Sequence, residues 1–402
     1  MKAFPPLARW AAASILSLAS ALAAAAVPED SRRAVLPADA MPSGAASVQL
    51  WHAAARDAIA RHKPNQQAAL RLLAYLSLAQ HRAAEALAAG PGPASDAAWS
   101  ALFDRASVQT LDALLPAQAV GFDALAQGLA SAREASLPAE ELARVQTLAE
   151  QAAREVLERA AHDGYDAPWH GSLPQDAAAW RSLLNPARPP HLPGLGSMKT
   201  LFLASGSAVR PPAPPAPGSA RFAEALAEVR ERAGSGSPQG LARARRWEMT
   251  SGSLVAGFWD ETAVGLAARH GLSGRETSRA MVLAMGAALD ANIACHDAKY
   301  TYWAPRPSQA DAAIRPLIGV PNHPSYPSNH ACDSGAAAAV LSQLFPAQRP
   351  TLEAMALEAS ESRIDAGLHY RFDSEAGLAI GRSAAAAALR ADALQLARKA
   401  QP

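Results

Sequence analysis

Thiols are scarce in this 402-residue chain: Cys295 and Cys332 are the only two. That excludes a disulfide framework. The pair either forms one bridge, closing a loop around the most polar motifs, or stays as two small buried side chains. Charge of one sign is also lacking, with 37 Lys and Arg against 36 Asp and Glu. No basic stripe is left to argue for a nucleic-acid partner. Beyond the first thirty residues no run of about 18 apolar residues occurs, so no stable membrane insertion is expected of the remaining chain. Aromatics make up only 5% of residues, although half the chain is apolar. Alanine leads that apolar half, and as the best helix former and a poor strand former it favours an all-α protein.

The first 26 residues have the layout of a secretory signal peptide. Lys2 and Arg9 precede an apolar run from Trp10, which ends in small residues before Val27. Cleavage near Ala26 removes both cations and takes the formal charge from +1 to −1. The mature chain, 27–402, is expected to be exported, periplasmic or secreted, and to form a single all-α domain. Nothing in the sequence speaks to its oligomeric state.

Helical periodicity with Pro and Gly punctuation predicts two helices over 47–89, broken at Pro64. Further helical stretches follow over 96–115 and 118–162, with Pro116 and Pro138 as breaks. Residues 163–219 are rich in Pro and Gly yet carry Trp169, Trp180, Leu201 and Phe202. They read as a long ordered loop packed on one domain rather than a linker. Helical pattern returns over 220–233, then near 241–269, 273–303, 328–345, 350–364 and 373–399. No repeat of fixed period occurs.

Three polar clusters lie in the last third. In "KYTYWAPRP", Lys299 falls in the last turn of a predicted helix, and Pro305 and Pro307 turn the chain so that Arg306 comes back towards it. Two cations so close need an anion between them; a lone Lys there would simply offset the helix dipole. In "HPSYPSNHACDSG", Pro327 and Ser328 are helix-start signals, which leaves the amides of Asn329 and His330 as first-turn donors. Taken alone, Ser328 reads as an N-cap and His330 as a surface imidazole. In "SRIDAGLHYRFD", Gly367 marks a turn, and Asp373 is expected as an N-cap that accepts from His369 Nδ1 and fixes its tautomer. Arg363 adds a third cation whose planar fork suits an oxyanion. Together these residues suit a tetrahedral oxyanion attacked on one side and losing a group on the other.

The three clusters resemble the superfamily of type 2 phosphatidic-acid phosphatases, bacterial acid phosphatases and vanadium-dependent haloperoxidases. The family pattern is K-x6-R-P, then P-S-G-H, then S-R-x5-H-x3-D. Here it falls at Lys299 to Pro307, Pro327 to His330 and Ser362 to Asp373, separated by 19 and 31 residues. Asn329 stands where the pattern has glycine. The text "LRLLAYLSLAQHRA" and the Pro-rich loop also look like the long exported bacterial members. The resemblance implies an all-α helical bundle of the acid phosphatase and vanadium haloperoxidase type, with 290–390 as its catalytic core.

By the same resemblance, Lys299, Arg306, Ser328, Asn329, His330, Arg363 and His369 bind phosphate or vanadate. His369 is implied as the nucleophile or the vanadium ligand, His330 as the acid, and Asp373 as the residue that orients His369. The first expectation is a phosphohydrolase working through a phosphohistidine, with no cofactor. The alternative is a vanadate-dependent haloperoxidase taking halide and peroxide, and the third is a non-catalytic anion binder. No resident metal is expected. Asp290, His296 and Asp297 share the helix of Lys299 but supply at most a partial ligand set. His52, His81, His170 and His191 read as packing or surface residues.

Overall fold

A computed structural model describes residues 44–249 and 252–399 of the chain. The expectation of a signal peptide falls on residues 1–26, outside this range. Among the described residues no β-strand forms. The helices are α1 (Ala45–His62), α2 (Gln66–Ala88), α3 (Asp96–Leu114), α4 (Ala119–Arg133), α5 (Ala139–Ala161), α6 (Ala220–Gly234), α7 (Pro238–Arg246), α8 (Leu254–Arg269), α9 (Gly274–Tyr302), α10 (Pro307–Ala310), α11 (Asn329–Leu344), α12 (Arg349–Asp365) and α13 (Arg371–Lys399). None of the described helices is long and apolar enough to cross a membrane.

Local chemistry sets the helix boundaries. Asn65 caps α2 by accepting from the amide of Ala68, and Ser95 does the same for α3 from Ala98. A reciprocal capping box of Ser273 and Glu276 starts α9. This helix is buried on nearly every side and is flanked by α2, α8, α11 and α13. Its Ala-rich surface lets neighbours approach closely, and the same small-residue logic runs between α11 and α13. A Cβ at Gly381 of α13 would lie 2.5 Å from Ala336 N and Cys332 O of α11, so only glycine fits there.

Buried polar groups tie the amino-terminal helices to this core. His52 of α1 pairs with Asp260 of α8 at 2.6 Å through Nδ1, and with Gln80 of α2 at 3.0 Å through Nε2. Arg56 reaches the other oxygen of Asp260 at 2.5 Å. Residues 163–219 form no helix longer than four residues, and their short turns at Leu195–Ser197 and Gly206–Val209 pack on α9. The carboxylate of Asp290 accepts from the amides of Leu201 (2.7 Å), Phe202 (2.7 Å) and Leu203 (2.8 Å). Asp297 takes Arg210 in a bidentate pair at 2.6 and 2.8 Å.

One predicted helix is two. The pattern over 241–269 breaks between α7 and α8, where Trp247 is buried and Met249 has φ +49°. The break leaves the Trp247 carbonyl outside any helical ladder, free to accept from another side chain.

Candidate active site

Lys299 lies in the last turn of α9 and is fully buried. Its ammonium donates to the carbonyls of Pro324 and Ser325, both at 2.9 Å, and to that of Pro327. Three donors meet three acceptors, so Lys299 braces loop 324–327 and offers the pocket its charge rather than a proton. Burial, with Arg306 adding to it, brings its pKa down to about 8.

The chain leaves α9 through Trp303 in the left-handed region, and Pro305 and Pro307 carry it back across the helix end. Arg306 between them is wholly buried. Its Nε donates to His323 O at 3.1 Å and its Nη2 to His323 Nδ1 at 3.0 Å. Its Nη1 serves Leu368 O at 2.9 Å and His369 Nε2 at 3.0 Å.

Ser328 occupies the N-cap position of α11, but its hydroxyl makes no capping bond. Its Oγ is buried with no hydrogen-bond partner among the described residues. The sequence alternatives for Ser328 were a cap or a site, and a buried, unpaired hydroxyl is no cap. Beside it the amides of Asn329 and His330 begin α11, so they lack intrahelical acceptors and sit at the positive end of the dipole. The side chain of Asn329 is anchored by the Cys295 thiol, which donates to its Oδ1 at 2.9 Å. Cys295 and Cys332 are both free and buried, so of the two readings open to the sequence the structure takes the unbridged one.

His330 meets the freed carbonyl of Trp247 through Nε2 at 2.8 Å. A carbonyl only accepts, so Nε2 carries the proton. Burial first, then Arg363, holds its pKa well below the usual histidine range.

Arg363 is in the last turn of α12, with Nε on Ser362 Oγ at 3.0 Å and Nη2 on Ala244 O at 2.8 Å. Its Nη1 takes no partner among the described residues. Burial brings its pKa to about 10. The chain then turns at Gly367, φ +72°, and the amides of Leu368 and His369 both fold back onto Arg363 O.

This delivers His369 Nδ1 to Asp373 Oδ2 at 2.8 Å. Asp373 is not the cap of its helix but lies inside the first turn, because α13 starts at Arg371. Its Oδ2 also accepts from Ser325 Oγ at 2.5 Å and Tyr370 N at 3.2 Å. Burial raises the carboxyl pKa to about 6, against the opposing pull of Ser325 and Lys299. With Nδ1–H committed to Asp373, the His369 lone pair is on Nε2. Burial, then Arg306 and Lys299, keep that imidazole neutral well below its ordinary pKa.

The eight residues singled out by sequence are thus brought into one electrostatically coupled cluster: Lys299, Arg306, Ser328, Asn329, His330, Arg363, His369 and Asp373. Sequence reasoning missed Ser325, which supports Asp373, and His323, which grips Arg306. Both lie in the "HPSYPSNH" stretch, but their partners are 48 and 17 residues away. Asp290, His296 and Asp297 do separate jobs: Asp290 and Asp297 hold the long loop, and His296 Nδ1 bonds Asn292 O at 3.0 Å. Among the described residues no group of three potential metal ligands forms.

Residues 279–395 match the family model described as the PAP2 superfamily. That segment, which carries all three polar clusters, is similar to the PAP2 superfamily. Most of the chain shares its fold with solved structures of low identity. One is the first bacterial vanadium-dependent iodoperoxidase: 20% identical, TM-score 0.75, covering 87% of this chain and 97% of that one. A bacterial vanadium-dependent chloroperoxidase in apo form is 14% identical, TM-score 0.67, covering 80% of this chain and 92% of that one. In holo form it is 14% identical, TM-score 0.62, with coverage of 80% and 89%. No curated protein matches the chain.

Proposed function

We propose that this chain is an exported enzyme whose pocket holds vanadate and oxidises halide with hydrogen peroxide. The observation that carries this reading is the state of His330. Its one N–H is given to Trp247 O, so the ring is neutral in this geometry and its other nitrogen carries the lone pair that can take a proton. Incoming peroxide must lose a proton; a phosphate ester's leaving oxygen must gain one. The fold likeness to vanadium-dependent iodo- and chloroperoxidases extends over most of the chain and supports the same choice.

The residues fit the anion. Ser328 Oγ is a buried donor lacking a partner, Arg363 Nη1 is uncommitted, and the α11 amides point the same partial charge. Arg363, Ser328 and the Asn329 and His330 amides bind the oxygens. Lys299 supplies neutralising charge from behind, and Arg306 supplies it from beside His369 Nε2. His369 presents Nε2, Asp373 holds its tautomer, and His330 receives a proton at the nitrogen not bonded to Trp247. Bound vanadate supplies Lewis-acid activation of peroxide.

The second reading, a phosphomonoesterase, is favoured by the His369–Asp373 pair. A neutral imidazole with its lone pair on Nε2 and a carboxylate behind it is a nucleophile for phosphorus. There His369 Nε2 bonds to phosphorus as the ester P–O bond breaks, and His330, protonated once the phosphate dianion has raised its pKa, gives the leaving oxygen its proton. A pure anion binder has no use for that pair.

The test is iodide and bromide oxidation by peroxide, with and without added orthovanadate, run beside hydrolysis of para-nitrophenyl phosphate. Halide oxidation that depends on vanadate is expected. Hydrolysis inhibited by vanadate, with no halide oxidation, refutes the first reading in favour of the second.

A further inference from the structure

Arg306 contacts the reacting imidazole on one side and an unassigned histidine on the other. Its Nη1 donates to His369 Nε2 at 3.0 Å, covering the only lone pair that ring offers. Nη1 also serves Leu368 O at 2.9 Å, while Nε and Nη2 grip the carbonyl and Nδ1 of His323 at 3.1 and 3.0 Å. Four of the five guanidinium protons are thereby directed, and a planar fork held at both ends has one orientation. His323 is 6% exposed, and its Nδ1 lies 3.0 Å from Arg306 Nη2 and 3.1 Å from Pro324 O; a guanidinium N–H can only donate, so in the tautomer that carries its proton on Nε2 the ring accepts from Arg306.

We propose that His323 is a positioning residue: its Nδ1 holds Arg306 where the Nη1 proton passes from His369 Nε2 to an oxygen of the bound anion, uncovering the His369 lone pair. A charged oxygen is a better acceptor than a neutral imidazole, so the exchange runs with anion binding. Only a small shift of the proton's acceptor is needed, provided the guanidinium itself does not turn. Remove the Nδ1 acceptor, and Nη2 has two protons to satisfy elsewhere; the fork loses its fixed plane. This rests on the anion-pocket reading above.

The test is calorimetric titration of the full protein with orthophosphate and with orthovanadate, using His323→Leu, His323→Gln and His323→Asn. Asparagine puts an acceptor oxygen close to the Nδ1 position, glutamine carries it a methylene further out, and leucine has none. Leucine and glutamine are expected to weaken anion binding about tenfold, and asparagine to restore it to within about threefold. Glutamine stands in for leucine if the latter does not fold, as judged by thermal melting. Leucine or glutamine binding as tightly as wild type overturns the role of His323, and so does asparagine binding as weakly as they do. Wild-type protein that takes up neither anion overturns the pocket itself, a result read before any variant is compared.

Discussion

Replacing Ser328 with alanine should make the empty protein more stable and the anion-bound protein weaker. Its hydroxyl is wholly buried with no partner among the described residues. An unpaired buried hydroxyl costs roughly 1–3 kcal/mol. Alanine recovers part of that, about 1 kcal/mol, and raises the melting temperature by roughly 2 °C. The same change deletes a bond to a charged ligand, normally worth about 1.5–3 kcal/mol, so anion affinity falls about 10- to 150-fold. Melting curves with and without orthovanadate should therefore cross. Alanine melts higher without the anion, and wild type melts higher at saturation, since a ligand stabilises only in proportion to how well it binds. A capping serine behaves oppositely: alanine would cost about 1 kcal/mol under both conditions and leave affinity alone. That pattern would refute the assignment of Ser328 to the pocket.

Asp373→Asn removes the negative charge behind His369, and turnover should fall at least about 100-fold while the protein still folds, checked by steady-state rates beside circular dichroism. The pH profile should be bounded by the two shifted groups. Asp373 must be ionised, so activity is lost as pH falls below about 6. Lys299 must be charged; anion binding raises its pKa and takes up a proton, so affinity declines as pH rises above about 8, seen by titration across pH. His52→Ala leaves Asp260 buried with Arg56 alone and should cost about 3 kcal/mol or more in urea unfolding, whereas a loss under 1 kcal/mol would contradict the bracing role.

Most helix boundaries were legible because Pro64, Pro116, Pro138 and Gly367 act locally, through backbone geometry alone. The split of 241–269 was not. The carbonyl it frees is taken by His330, 83 residues away, and hydrophobic periodicity carries no trace of such a pairing. The site residues were readable as types at fixed spacings. Their bonding was not: nothing in "KYTYWAPRP" reveals that Lys299 turns all three protons onto loop carbonyls. Ser325 and His323 escaped for the same reason, since each acquires its role only when α9, α11 and α13 close around the loop.

The anchoring of residues 201–203 on Asp290 has a consequence for divergence. The carboxylate is met by main-chain amides, which every residue except proline supplies. Side chains at these positions are thus released from the duty of holding the segment. Chains sharing this latch would drift apart in letters along the loop and still superpose, while a proline at any of the three positions would undo it.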